Sequence, residues 1–265
     1  MLIQVENKAD FGTIYDTHAH YDDAKFDGNR QEILEELQNY GVGAIINNSV
    51  DFDESARLCL DMSRKFDFCY TALGLHPQTV EEGKDLEEEK LRKLLQDNKI
   101  VAIGEIGLDY YWSKDRKEQQ IEIFSRQIAI AKEYGLPIIV HDREAHADTL
   151  EILKNYAPKG TVHCFSGSVE MAEEVLKLGM YIGVGGVVTF SNAKKLKEVV
   201  KFYPIQKILL ETDAPYLAPV PYRGSICNSA QLIRVAETIA EIKGLTTTEV
   251  LNTTKDNAKQ LYNLK

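Results

Sequence analysis

Strand-like and helix-like segments alternate along this chain with an even beat, and that alternation narrows the fold more than any other feature. Apolar or β-branched runs stand at Thr13–Thr17, Gly43–Asn48, Phe68–Leu73, Ile100–Ile106, Pro137–His141, Gly160–Phe165, Tyr181–Val188 and Lys207–Glu211. Charged, amphipathic stretches separate them at Arg30–Tyr40, Glu54–Lys65, Leu86–Asp97, Lys117–Tyr134, Ala147–Tyr156, Val169–Leu178 and Ala193–Phe202. Helical signals resume at Ser229 and continue to the end, with a break at Lys243-Gly244-Leu245. Neighbouring parallel strands need long crossover connections, and helices supply them. About eight such units over about 250 residues is the count and length of an α/β fold of the (β/α)8 TIM-barrel type. A doubly wound open sheet is the alternative. No linker, composition shift, low-complexity tract or close repeat divides residues 1–265, which read as a single domain.

Active sites of such barrels lie at the C-terminal ends of the strands, so the residues that end each run carry the functional argument. The first run leads into His18 and His20, which share one side of a strand as residues i and i+2. The third ends at His76-Pro77, the fourth carries Glu105, the fifth ends at His141 and Arg143, the sixth holds His163, and the eighth leads into Glu211 and Asp213. Five of the six histidines stand at or near strand ends. With Glu105 and Asp213 they form a set of nitrogen and oxygen ligands without sulfur, suited to Zn²⁺, Mn²⁺ or Mg²⁺. A carboxylate such as Glu105 can bridge two ions about 3.5–4 Å apart. His76, before a proline, reads as a turn residue able to touch substrate. Glu211 shares a face with Asp213 and can orient a ligand. His146 reads as a helix-start residue outside the site.

Composition bounds the partners. The chain is 44% hydrophobic and 27% charged, an ordinary globular balance. A net charge of −10 argues against a protein whose main task is to coat nucleic acid. No apolar run approaches the ~20 residues of a membrane span, and Met1–Asp10 lacks the shape of a signal peptide. Cys59, Cys69, Cys164 and Cys227 show no paired spacing and read as reduced thiols of a cytoplasmic protein. Without a long exposed apolar stripe, monomer is the expectation. Ser168 can cap a helix or help hold a phosphate, and capping is favoured. Gly183, Gly185 and Gly186 mark tight packing or close approach to a ligand, with packing favoured. Tyr110, Tyr111 and Trp112 can stack on unpaired bases or form a hydrophobic lid.

Taken in order, Asp16-Thr17-His18-Ala19-His20, Gly74-Leu75-His76-Pro77, Gly104–Tyr110, His141–Ala145, His163–Gly167 and Glu211–Leu217 resemble the TatD-type metal-dependent deoxyribonucleases of the amidohydrolase-like barrels. The resemblance runs from about Tyr15 to Tyr262. It implies a distorted TIM barrel with two divalent metal ions, Mg, Mn or Zn. By that resemblance His18 and His20 bind one ion, Glu105 bridges, His141 and His163 bind the second, and Asp213 completes the site. Other barrels of the superfamily bridge with a carboxylated lysine, and here Glu105 takes that place. Asp213 would accept a proton from water or orient it, while His76 and Arg143 help neutralise phosphoryl charge. The implied activity is hydrolysis of DNA phosphodiesters from a 3′ end, with DNA ends or short single strands as partners. The alternative is an ester, lactone or amide, including an aminoacyl-tRNA ester, cut by the same metal site. A barrel that only binds a partner is the non-enzymatic reading, and the intact ligand set argues against it. One segment departs from the family: Pro221-Tyr222-Arg223-Gly224 continues as Ser225-Ile226-Cys227-Asn228-Ser229, where Lys-Arg-Asn is usual, so two phosphate-facing cations are missing.

Overall fold

The computed structural model describes residues 12–81, 83–112 and 114–264. The reading of Met1–Asp10 lies outside the described residues. Eight parallel strands form one sheet whose spatial order is the order of the chain: β1 (Ile14–Ala19), β2 (Val42–Asn48), β3 (Cys69–Leu73), β4 (Ile100–Asp109), β5 (Ile138–Arg143), β6 (Gly160–Val162), β7 (Tyr181–Val184) and β8 (Ile208–Leu210). The helices α1 (Arg30–Leu37), α2 (Glu54–Lys65), α3 (Pro77–Glu81), α4 (Glu88–Leu94), α5 (Lys117–Tyr134), α6 (His146–Tyr156), α7 (Val169–Lys177) and α8 (Lys194–Phe202) lie in the crossovers. Two more, α9 (Leu232–Lys243) and α10 (Thr247–Tyr262), complete the chain. Sequential order with β1 beside β8 is a TIM-type barrel and excludes the doubly wound sheet.

Side-chain alternation builds two layers. Ile45, Ile138, Val140, Ile182 and Leu210 face the helices in one core, while Ala44, Ile46, Ala72, Ile139, Tyr181 and Leu209 form a second cluster inside the barrel. Tyr262 and Leu264, at the end of the chain, join that interior cluster. The same period of two carries function upward: beyond Ile139 the next inward residue is His141, and beyond Leu209 it is Glu211. In β4 the β4–β5 pairing is irregular between Ile103 and Ile106, and the slip turns Glu105 into the interior.

The barrel is distorted where it closes. β1 and β8 share no ladder, and beyond β8 a lone bridge joins Ala19 to Ala214. Hydrogen bonds close the seam instead. The Asp213 N–H donates to His18 O at 2.9 Å, and the His20 N–H donates to Ala214 O at 2.7 Å. The Thr17 hydroxyl donates to Leu210 O at 3.0 Å.

Local chemistry explains most element ends. α5 buries Ile123, Phe124, Gln127, Ile128 and Ala131 at helical spacing and stops at Gly135, whose φ of 68° closes the last turn. α10 starts with a capping box of Thr246 and Glu249. The His76-Pro77 turn is the start of α3, because Pro77 suits a first helical position and the Thr79 hydroxyl donates back to His76 O at 2.7 Å. β4 runs on to Asp109, since Gly107–Asp109 pair with His141–Arg143. β7 stops at Val184 because Gly186–Thr189 coil into a 3₁₀ turn. Ser168 caps α7, its hydroxyl accepting from the Met171 N–H. No helix among the described residues is long and apolar enough to cross a membrane, and the four cysteines are free thiols.

Candidate metal centre

Glu105 stands at the middle of the barrel mouth, 3% exposed, and its two oxygens face different sets of imidazoles. Oε2 lies 3.3 Å from His18 Nε2 and 3.4 Å from His20 Nε2. Those two nitrogens are 3.1 Å apart. Asp213 Oδ1 sits 3.8 Å from the first and 3.5 Å from the second. A tetrahedral ion with ligands at about 2.1 Å needs ligand atoms about 3.4 Å apart, so the spacing of these four atoms fits a first-row or zinc-like cation. Oε1 lies 2.6 Å from His141 Nδ1, 3.4 Å from His163 Nε2 and 3.5 Å from His76 Nε2. One carboxylate therefore joins two nitrogen clusters.

The far nitrogen of each ring decides what its near nitrogen can do. His20 Nδ1 lies 2.9 Å from Asn48 O; a carbonyl only accepts, so in the neutral ring Nδ1 carries the proton and Nε2 offers a lone pair inward. His141 Nε2 lies 3.0 Å from Asp109 Oδ2, and His163 Nδ1 lies 3.1 Å from Glu211 Oε1; both carboxylates favour ligand lone pairs inward. His76 is different. Its Nδ1 accepts from the Gln78 N–H at 3.1 Å, so the proton of the neutral ring sits on Nε2. His76 therefore presents a hydrogen-bond donor to the centre, and burial lowers its pKa and keeps the ring neutral.

Electrostatics are those of a cation site. Burial pushes the Glu105 carboxyl up, but facing His76, His163 and His18 outweigh it and hold Glu105 well below the usual range. Asp213 is lowered in the same way, against burial, by the His20 hydrogen bond and the imidazole charges. Burial pulls His141 down, yet its hydrogen bonds to Asp109 and Glu105 lift it to about 9. His20 and His163 are raised by their carboxylates, also against burial. His18, fully buried and stacked on His163 at 3.6 Å between ring centroids, is lowered by burial and by that neighbour. A metal ion binding here must displace protons from His20, His141 and His163.

The structure gathers His18, His20, His76, Glu105, His141, His163 and Asp213 around one point. Arg143 stays at the rim, its guanidinium 4.1 Å from the Tyr111 ring centroid and 5.6 Å from that of Trp112. Tyr111 and Trp112 are 52% and 57% exposed, so they do not form a closed lid. Tyr110 turns away and donates to Asp148. His146 pairs with Asp142 at 2.7 Å, outside the centre. Gly183 is explained by packing: a Cβ there would stand 2.0 Å from Glu211 Oε2.

Two supports escaped sequence reasoning. Asp109 binds His141 through one oxygen and the Tyr111 and Trp112 N–H groups through the other, at 3.0 and 3.1 Å. Gly107 is the residue that pairs with His141, so the nearness of Asp109, two residues on, to that ring is visible only once the strands are in register. Asp16 is 1% exposed and accepts from the Thr212 N–H, the Thr212 hydroxyl and the Ser229 hydroxyl at 3.0, 2.7 and 2.7 Å. Burial raises its carboxyl to about 7 while these donors pull the other way. In the segment that departs from the family, Asn228 caps a short 3₁₀ turn, and Arg223 lies over Phe190 at 4.2 Å.

Comparison with known proteins bears on this geometry. The family model described as TatD related DNase matches residues 15–263. An uncharacterized metal-dependent hydrolase of Bacillus subtilis, YabD, is 42% identical over 95% of this chain and 99% of its own. The crystal structure of YjjV, a TatD homologue from Escherichia coli, superposes with a TM-score of 0.88 at 34% identity, covering 95% of this chain and 98% of that one. A TatD-family hydrolase from Entamoeba histolytica superposes with a TM-score of 0.82 at 25% identity over 96% and 100% of the two chains. With a matching family model over nearly its whole length and close relatives of the same fold, this chain belongs to the TatD family of metal-dependent hydrolases.

Proposed function

We propose that the protein is a two-metal phosphodiesterase that trims DNA from a 3′ end. The observation that carries this reading is the division of Glu105: Oε2 faces His18 and His20, while Oε1 faces His141 and His163. His18, His20 and Asp213 would hold one ion, His141 and His163 the other, with Glu105 shared. When bound, such ions supply Lewis acidity toward a phosphoryl oxygen and lower the pKa of water. Asp213, held ionised by the imidazoles around it, orients the attacking water and takes its proton. The water oxygen bonds to phosphorus as the bond to the 3′ oxygen breaks; that oxygen takes a proton from solvent water, and Asp213 later returns its own to solvent. His76 donates from Nε2 to a phosphoryl oxygen as its charge grows.

The DNA half of the reading draws on the family description and on the rim. Tyr111 and Trp112 offer exposed faces beside Arg143, the combination that holds unpaired bases and their phosphates. A buried acidic cluster explains part of the −10 charge, and a short substrate segment needs few rim cations. We read the protein as a cytoplasmic monomer. The test is a panel in Mn²⁺: a single-stranded oligonucleotide, p-nitrophenyl esters, lactones and an aminoacyl-tRNA. Cleavage of the oligonucleotide with inert carboxylic esters supports the proposal. Ester or lactone hydrolysis with intact DNA assigns the site to the other substrate class.

A further inference from the structure

Beside the metal centre, between the segment that follows β6 and the one that leads into α8, lies a cavity of about 240 Å³. Its walls include Phe165, Val187, Ala193 and Leu196, together with the half-buried Cys164. Cys164 directly follows His163 and takes a φ of 44°. That backbone turn aims its N–H at Glu211 Oε1, 2.5 Å away. Because Cys164 follows His163 and its N–H meets Glu211, the cavity lies beside the metal centre. Lys195 stands exposed at the rim, its ammonium donating to Ser166 O at 3.3 Å.

We propose that this cavity is a base subsite, receiving the nucleobase of the nucleotide released at the cut while its phosphate sits at the metal centre. The inference rests on the nuclease reading and adds to it the contact that distinguishes one end from another. The apolar surface of Phe165, Val187 and Leu196 favours the flat face of a ring, and Ser166 and Asn192 stand beside it as polar groups able to meet a ring's edge. The volume suits one ring system and excludes a run of several nucleotides. Lys195 at the rim complements the nucleotide's negative charge, a feature that an uncharged acyl group would not use.

Two 5′-labelled oligonucleotides test this, identical except that one ends in a 3′ adenosine deoxynucleotide and the other in an abasic deoxyribose. The full-length protein in Mn²⁺ should cut the base-bearing end with kcat/KM about tenfold higher, the factor that one stacking contact supplies. Val187→Trp, filling the cavity, should bring the ratio close to one. Ala193→Met fills the cavity from its rim if the first variant melts early. Equal cleavage of the two ends by the wild type overturns the base subsite alone. A preserved ratio in folded filling variants also overturns it, because the base is then read elsewhere. No cleavage of either oligonucleotide overturns the nuclease reading and the subsite together.

Discussion

The Asp16 carboxylate accepts both the backbone N–H and the hydroxyl of Thr212, at 3.0 and 2.7 Å, and so ties the first strand to the segment that follows the last. His18 lies two residues past Asp16, and Asp213 lies one residue past Thr212. At this seam, which has one isolated bridge and no β-ladder, the side chain adds to the backbone hydrogen bonds that close the barrel. The seam is also where one ligand group is assembled from the two ends of the sequence. Replacing Asp16 by Ala leaves several buried donors unpaired, each costing about 1–3 kcal/mol. The Asp16→Ala variant should melt well below the wild type and bind Mn²⁺ more weakly even at temperatures where it is folded. Calorimetry for melting and for binding checks both, and unchanged Mn²⁺ affinity would show that the seam does not set the ligand geometry.

His76 and His141 both approach Glu105 Oε1, but their outer nitrogens assign them different duties. His76 accepts from Gln78 and so donates inward, whereas His141 gives its outer nitrogen to Asp109. His76→Ala should retain bound metal while kcat falls about 100-fold, as when one transition-state donor is removed. His141→Ala should lose metal. Metal content by elemental analysis beside steady-state kinetics separates the two, and loss of metal from His76→Ala would make that residue a ligand.

Proton linkage gives a third expectation. The His141 pKa is raised to about 9 in the folded protein, against about 6.5 when unfolded. A raised pKa stabilises the fold fully below the unfolded value, and that contribution is lost as pH rises through the folded one. Asp16, raised to about 7, is also a group whose stabilisation of the fold fades as pH rises. Metal-stripped protein should therefore melt at progressively lower temperature from pH 6.5 to 9, while the gain from added Mn²⁺ widens because fewer protons compete with it. Melting curves with chelator and with Mn²⁺ at four pH values check this; a metal-stripped melting point that rises across the window contradicts it.

The rim predicts a weak dependence on salt. Arg143 and Arg223 are the two guanidinium groups that lie over aromatic rings at the mouth. If both meet phosphates of a single strand, log affinity should fall against log salt with a slope of about −1.4. Arg143→Ala should make that slope shallower by about 0.7. Fluorescence anisotropy with a labelled oligonucleotide at several salt concentrations measures it, and a slope unchanged by Arg143→Ala removes this residue from the phosphate contacts.

The fold was legible because strand and helix periodicity recur eight times, and the site because its residues end strands. His141 and Glu211 could be read from position alone, each lying two residues beyond an inward apolar side chain. Asp16 and Asp109 could not, since each acts through a residue that only folding brings near: Thr212 is 196 positions away and His141 is 32. Glu105 breaks the simple period, because the irregular β4–β5 pairing shifts its phase. His76 looked like a turn residue, and the turn is itself the device, since the opening of α3 supplies the N–H that fixes its proton.

The most direct test of the account is digestion of a 5′-labelled single-stranded DNA by metal-loaded wild type and by Glu105→Ala. The account predicts a ladder that shortens from the 3′ end with Mg²⁺ or Mn²⁺, abolished by chelator and by the substitution. Intact DNA in the presence of metal-loaded wild type, or an undiminished ladder from Glu105→Ala, would contradict it.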